Sequence, residues 1–149
     1  MEFKIPRALK LEHDELHEEL AGAAEAAGKV GDAAKAVARI LHPHFLKEEE
    51  YALPPLGLLK PLAGGEISPE MKDVFAMTGR LEAELPRMLG EHKAIVSALT
   101  VLAEAAIGEK KMEYAHFAKK LALHARTEEE VLYPAALLIG KYLKMKLKG

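Results

Sequence analysis

Apolar residues recur along this chain at spacings of three, four and seven. Leu9, Leu16 and Leu20 fall on one stripe, and Leu85, Met88, Ile95 and Leu99 on another. Such spacing marks the inward face of an amphipathic helix. The pattern predicts a first helix from about Arg7 to Ala27, with Pro6 near its first turn. Gly28-Lys29-Val30-Gly31 is expected to turn, and Asp32 to cap a second helix reaching about Leu53, where Pro54-Pro55 stops it. Pro43 predicts a kink inside that helix. Residues 56–67, with Gly64-Gly65, read as an irregular connection. Ser68-Pro69 restarts a third helical region that runs to about Ile107, bent or broken near Pro86. Gly108 turns the chain into a fourth helix, from about Glu109 to Tyr133. Beyond Pro134 a short terminal helix covers Ala135 to Leu147. Four long amphipathic segments with short turns inside each pair predict an all-α chain. The expected architecture is an antiparallel up-down-up-down four-helix bundle with a short C-terminal helix, one domain over residues 1–149.

Composition agrees with this and removes several function classes. The 149 residues are 50% hydrophobic and 30% charged, with a net charge of -2 from interspersed acids and bases. That balance carries no nucleic-acid footprint. No apolar run approaches the roughly 18 residues of a membrane span. Met1-Glu2-Phe3-Lys4 lacks the character of a signal peptide, so a cytoplasmic location is expected. Lys141 to Lys148 is locally basic, as a solvated helix end would be. The chain has no cysteine, which removes thiolate catalysis, Fe–S clusters and thiolate zinc sites. Seven histidines remain, and their placement carries the functional reading.

The chain repeats itself. Leu11-Glu12-His13 matches Gly90-Glu91-His92 at an offset of 79, and His44-x-x-x-Glu48-Glu49-Glu50 matches His124-x-x-x-Glu128-Glu129-Glu130 at an offset of 80. Two such hairpins predict a pseudo-twofold bundle. At about 1.5 Å rise per residue, His13 and His44 lie at similar heights on either side of the first turn, and His92 and His124 on either side of the second. His13 and His92 lie on the apolar stripes. Glu48 and Glu128 follow His44 and His124 by four residues, only about 40° round the helix, and so also point inward. Imidazoles and carboxylates in one apolar layer are costly unless a cation pairs them. Six inward ligands are too many for one tetrahedral ion, so two metals are expected, with Glu48 and Glu128 bridging them. His42 and His116 lie off these faces, Glu49 and Glu50 read as solvated, and Tyr51 reads as packing. His13-Asp14-Glu15-Leu16-His17 lacks the Glu that a zincin needs directly after its first His.

His13, His44, Glu48, His92, His124 and Glu128, in that order on four helices, make the chain resemble the hemerythrin-like (HHE cation-binding) family over nearly its whole length. The resemblance implies a bundle holding a non-haem di-iron centre with two bridging carboxylates. The oxygen-carrying members have a further His on the third helix, where this chain has Val96. Their last carboxylate is an Asp five residues after its His, where this chain offers Glu128 at four or Glu129 at five. His17, four residues after His13 and mapped by the repeat onto Val96, is therefore expected as a fifth histidine ligand. His13, His17 and His44 would then hold one metal, and His92 and His124 the other. The implied function is binding of O2 or a related small ligand such as NO at a two-iron centre, for carriage, storage or sensing. The alternatives are a di-iron oxidase or peroxidase-like enzyme and an iron storage or sensing module. Zinc and manganese also suit these donors. No catalytic residue is assigned, and no partner protein is indicated.

Overall fold

The computed structural model describes residues 1–147, so Lys148 of the basic terminal segment lies outside the described residues. Its long helices are α1 (Arg7–Ala24), α2 (Gly28–Lys47), α4 (Phe75–Gly108), α5 (Met112–Thr127) and α6 (Tyr133–Leu147), with a short α3 (Leu59–Ala63) in the connection. No strand occurs among the described residues. Helix α2 packs against α1 and α4, α4 against α5 and α6, and α5 also meets α1. The result is a helical bundle.

The first turn is tighter than expected. It occupies Glu25–Ala27, and α2 begins at Gly28 rather than after Asp32. Gly28 takes φ +78°, a left-handed conformation that side-chain-bearing residues rarely adopt. Glu109, from the far end of α4, accepts hydrogen bonds from the backbone N–H groups of Lys29 (3.3 Å) and Val30 (3.2 Å). A distant carboxylate thus does the capping expected of Asp32. Gly31 packs so closely under the turn that a Cβ there would lie 1.9 Å from the Ala26 carbonyl oxygen.

The connection after α2 is mostly helical rather than irregular. Pro54–Leu58 forms a 3-10 turn and leads into α3, and Pro69–Val74 forms a second 3-10 turn before α4. Helix α4 then continues for 34 residues through Pro86, where a bend or break was expected. The predicted fourth helix is shorter at both ends: α5 stops at Thr127.

Both halves share one departure from α-helical geometry. Glu48–Ala52 and Glu128–Leu132 are π-helical turns, in which the backbone N–H bonds five residues back. Leu53 N–H donates to Glu48 O at 2.8 Å, and Tyr133 N–H donates to Glu128 O. These turns separate two apolar cores. One contains Leu16, Leu20, Val37, Leu41, Ile95 and Leu121; the other contains Leu53, Leu56, Leu81, Met88, Tyr133 and Leu143. Between them lies a polar layer.

Candidate metal centre

That polar layer consists of His13, His44, Glu48, His92, His124 and Glu128, none more than 6% exposed. All four imidazoles turn Nε2 toward the two carboxylates. Glu48 places Oε1 3.5 Å from His13 Nε2 and Oε2 3.3 Å from His44 Nε2. Glu128 places Oε2 3.4 and 3.2 Å from Nε2 of His13 and His124, and Oε1 3.2 Å from His92 Nε2. Each carboxylate therefore gives one oxygen to each of two histidine pairs. The pairs are His44 with His92, and His13 with His124. This differs from the expected grouping of His13, His17 and His44 against His92 and His124.

His17 does not join this layer. Its Nε2 faces His42 Nδ1 at 3.3 Å, and its ring meets Phe45 edge-on. Phe45 fills the interior position instead, stacked on His13 with ring centroids 3.9 Å apart. His116 is exposed.

Outside the layer each histidine is held by a carboxylate from a neighbouring element. The Nδ1–H groups of His13, His44 and His92 donate to Glu49 (3.2 Å), Glu91 (2.8 Å) and Glu129 (3.0 Å), and that of His124 donates to Glu12. A carboxylate accepts only, so it fixes the proton on Nδ1 and leaves the Nε2 lone pair facing inward. Glu49 was expected to be solvated; its bond to His13 draws it partly inside, while Glu50 stays exposed and pairs with Arg80. The available signal was the dipeptide: Glu directly precedes both isolated histidines, as Glu12-His13 and Glu91-His92.

Tyr133 also reaches the layer, as the periodicity did not suggest. Its hydroxyl donates to Glu48 Oε2 and lies 3.3 and 3.2 Å from Nε2 of His44 and His92. In an α-helix, residue i+5 sits about 140° from residue i. The extra residue in the π turn brings Tyr133 back to the face of Glu128. Leu53 takes the corresponding place after Glu48, so one flank of the layer is hydroxylic and the other apolar. Tyr51 packs as expected, its hydroxyl 3.7 Å from Met88 Sδ.

Two buried atoms in the layer, Glu48 Oε1 and His124 Nε2, have no hydrogen-bond partner. Such atoms are costly to bury. The charges around them are strongly perturbed. Burial and the charge of Glu128 push Glu48 up to about 7. Burial also opposes the charge of Glu128, but the surrounding His124, His13 and His92 imidazoles prevail and hold it well below the usual carboxylate range. Burial lowers the basicity of His44 and His124, yet Glu48 and Glu128 respectively outweigh it and lift both to about 9. Tyr133 is pushed up by burial and by both carboxylates, so its hydroxyl keeps its proton. Without a cation, protons must fill the layer; bound metal cations would satisfy the same donors.

The sequence profile of the hemerythrin HHE cation-binding domain matches residues 4–136. The chain belongs to this family. No curated protein and no solved structure matches it. Family membership and the buried His/Glu cluster together make this a cation-binding domain. No described helix is long and apolar enough to cross a membrane.

In such a domain the outer carboxylates tune the histidines. Glu91→Gln keeps the shape but removes the negative charge facing His44, whose neighbour Lys47 also bonds Glu91 at 2.7 Å. Metal affinity should fall about 10–100-fold with the fold intact. Competition with a chelator, alongside a far-UV spectrum, measures both.

Proposed function

We propose that the chain is a di-iron protein that takes up O2 or a related small ligand such as NO. The observation that carries this reading is the convergence of four Nε2 atoms on two carboxylates, each offering one oxygen to each histidine pair. His44 and His92 would hold one iron and His13 and His124 the other, with Glu48 and Glu128 shared. The orphaned Glu48 Oε1 and His124 Nε2 support the fit, because both gain partners from a cation. The donors also accept zinc or manganese, and the choice of iron rests on the family. Four imidazole nitrogens and four carboxylate oxygens fill eight of about twelve octahedral positions, so the set leaves room for an external ligand. When bound, the iron pair supplies the positions at which O2 or NO attaches.

The chain's own contribution is enclosure and one proton donor. Apolar cores above and below keep bulk water out. An open groove between α4 and α5, lined by His92, Val96, Ala125 and Glu129, leads from solvent to His92. The Tyr133 hydroxyl stands at the His44–His92 side, placed to donate to a small anionic ligand. Paired π turns and the matching bonds His13–Glu49 and His92–Glu129 support an up-down-up-down bundle with a pseudo-twofold repeat, folded as one domain.

Metal analysis with anaerobic and aerobic optical spectra tests the proposal. Two irons per chain and an oxygen- or NO-dependent band are expected; one metal or none per folded chain would overturn it. Tyr133→Phe should keep both irons and release the ligand about tenfold faster, the value of one hydrogen bond to a charged group. Stopped-flow dissociation measures that rate.

A further inference from the structure

Two histidines outside the buried layer face each other across the seam between α1 and α2. His17 Nε2 and His42 Nδ1 are 3.3 Å apart, with the ring planes at 82°. The two rings line a small surface pocket with Leu20, Ala21 and Ala38. His42 is exposed and His17 half-buried, so water reaches both. Among the described residues, neither ring forms an ion pair with a carboxylate.

Two readings fit the contact's distance. One is a long N–H···N hydrogen bond between the rings, which 3.3 Å permits. Two imidazole nitrogens on one tetrahedral zinc-like ion, each at about 2.05 Å, are set about 3.3 Å apart by the tetrahedral angle. The observed separation also suits this second reading. A square arrangement at right angles would need about 2.9 Å from the same bond length. The pocket supplies what such an ion still lacks, because its solvent-open side leaves room for two waters to complete four positions.

We propose that His17 and His42 form a second, open cation site that takes a tetrahedral divalent ion of the zinc class through two imidazoles and water. It is separate from the buried layer. Phe45 lies between them, stacked on His13 on one side and edge-on to His17 on the other. The proposal does not rest on the identity of the inner metals. Its donors are neutral and few, so it should bind more weakly than the buried carboxylate site and exchange faster.

The test uses the full chain with its centre already loaded, and Zn2+ as the probe. Equilibrium dialysis should find one additional, exchangeable equivalent. Zn2+ should also shift the 15N resonances of His17 Nε2 and His42 Nδ1 while leaving the Glu-bonded Nδ1 resonances of the inner histidines in place. The single variants His17→Ala and His42→Ala should each weaken this equivalent at least tenfold, and His42→Ala should keep the metals already held. His42 is exposed, so that variant is expected to fold. The proposal is overturned if the parent takes up no additional Zn2+, or if the additional equivalent persists undiminished in both variants. A Zn2+-insensitive N–H···N signal between the two rings would also overturn it, marking the contact as a plain hydrogen bond.

Discussion

The Glu128→Ala variant is expected to hold at most one metal ion per chain and to melt far below the parent. Glu128 is the group on which three histidines converge, through Oε2 for His13 and His124 and Oε1 for His92. Its loss removes an oxygen from each candidate metal position, strips His124 Nε2 of its inner carboxylate and leaves His13 and His92 with Glu48 alone. Breaking a buried pair from one side costs about 3–5 kcal/mol, a fall in Tm of roughly 10 °C for a chain of this size. Metal analysis and calorimetry on the same sample measure the two effects. Two tightly held ions with an unchanged Tm would move the shared carboxylate role away from Glu128. Glu129 would then have to leave His92 Nδ1 to assume it, which an altered His92 ring resonance would reveal.

Stripping the metals should make stability depend on pH in a defined direction. His44 and His124 are raised from 6.5 to about 9 in the folded chain, and Glu48 from 4.5 to about 7. A raised folded pKa favours the folded state while the group is protonated. The histidine contributions are therefore complete below pH 6.5 and disappear as the pH climbs through 9. The Glu48 contribution is complete below 4.5 and disappears as the pH climbs through 7. Glu128, lowered in the folded chain, contributes fully above 4.5 and loses its contribution only on acidification. From pH 6 to pH 9.5 the stripped protein should thus lose stability steadily. The loaded protein should lose much less, since cations replace the protons, and metal uptake should release protons across this range. Melting curves of both forms at pH 6, 7.5 and 9 test this. A stripped-protein Tm that stays level or rises with pH would contradict the protonation pattern of the layer.

Much of the bundle and of its polar layer could be read from residue spacing. The stripes through His13 and His92 are continuous with Leu16, Leu20, Ile95 and Leu99, and all of these are buried. The pairs His44–Glu48 and His124–Glu128 keep α-helical spacing up to the carboxylate, so both ends point inward as expected. What lay beyond reading depended on backbone or cross-helix geometry. A π turn has no hydropathic period of its own, and α-helical counting sets Tyr133 about 140° from Glu128. The start of α2 depended on Glu109, which is 80 residues from Lys29 in sequence. His17 has the correct spacing from His13, but spacing fixes only an angle about the helix. One turn further along, that angle meets Phe45 and the α1–α2 seam rather than the carboxylates.

The four outer carboxylate bonds have a property that no one of them has alone. His13–Glu49 ties α1 to the turn after α2, His44–Glu91 ties α2 to α4, His92–Glu129 ties α4 to the turn after α5, and His124–Glu12 ties α5 back to α1. They form a closed hoop around the bundle at a single level. A hoop of four links has one more than it needs to keep four staves connected. Severing any one link leaves an open strap that still passes every helix, whereas severing two divides the staves into separate groups. Single Glu→Ala changes should therefore loosen the layer mildly, and any two together should cost more than the sum of their separate effects. With any one of these bonds absent, the other three still tie every helix to the layer.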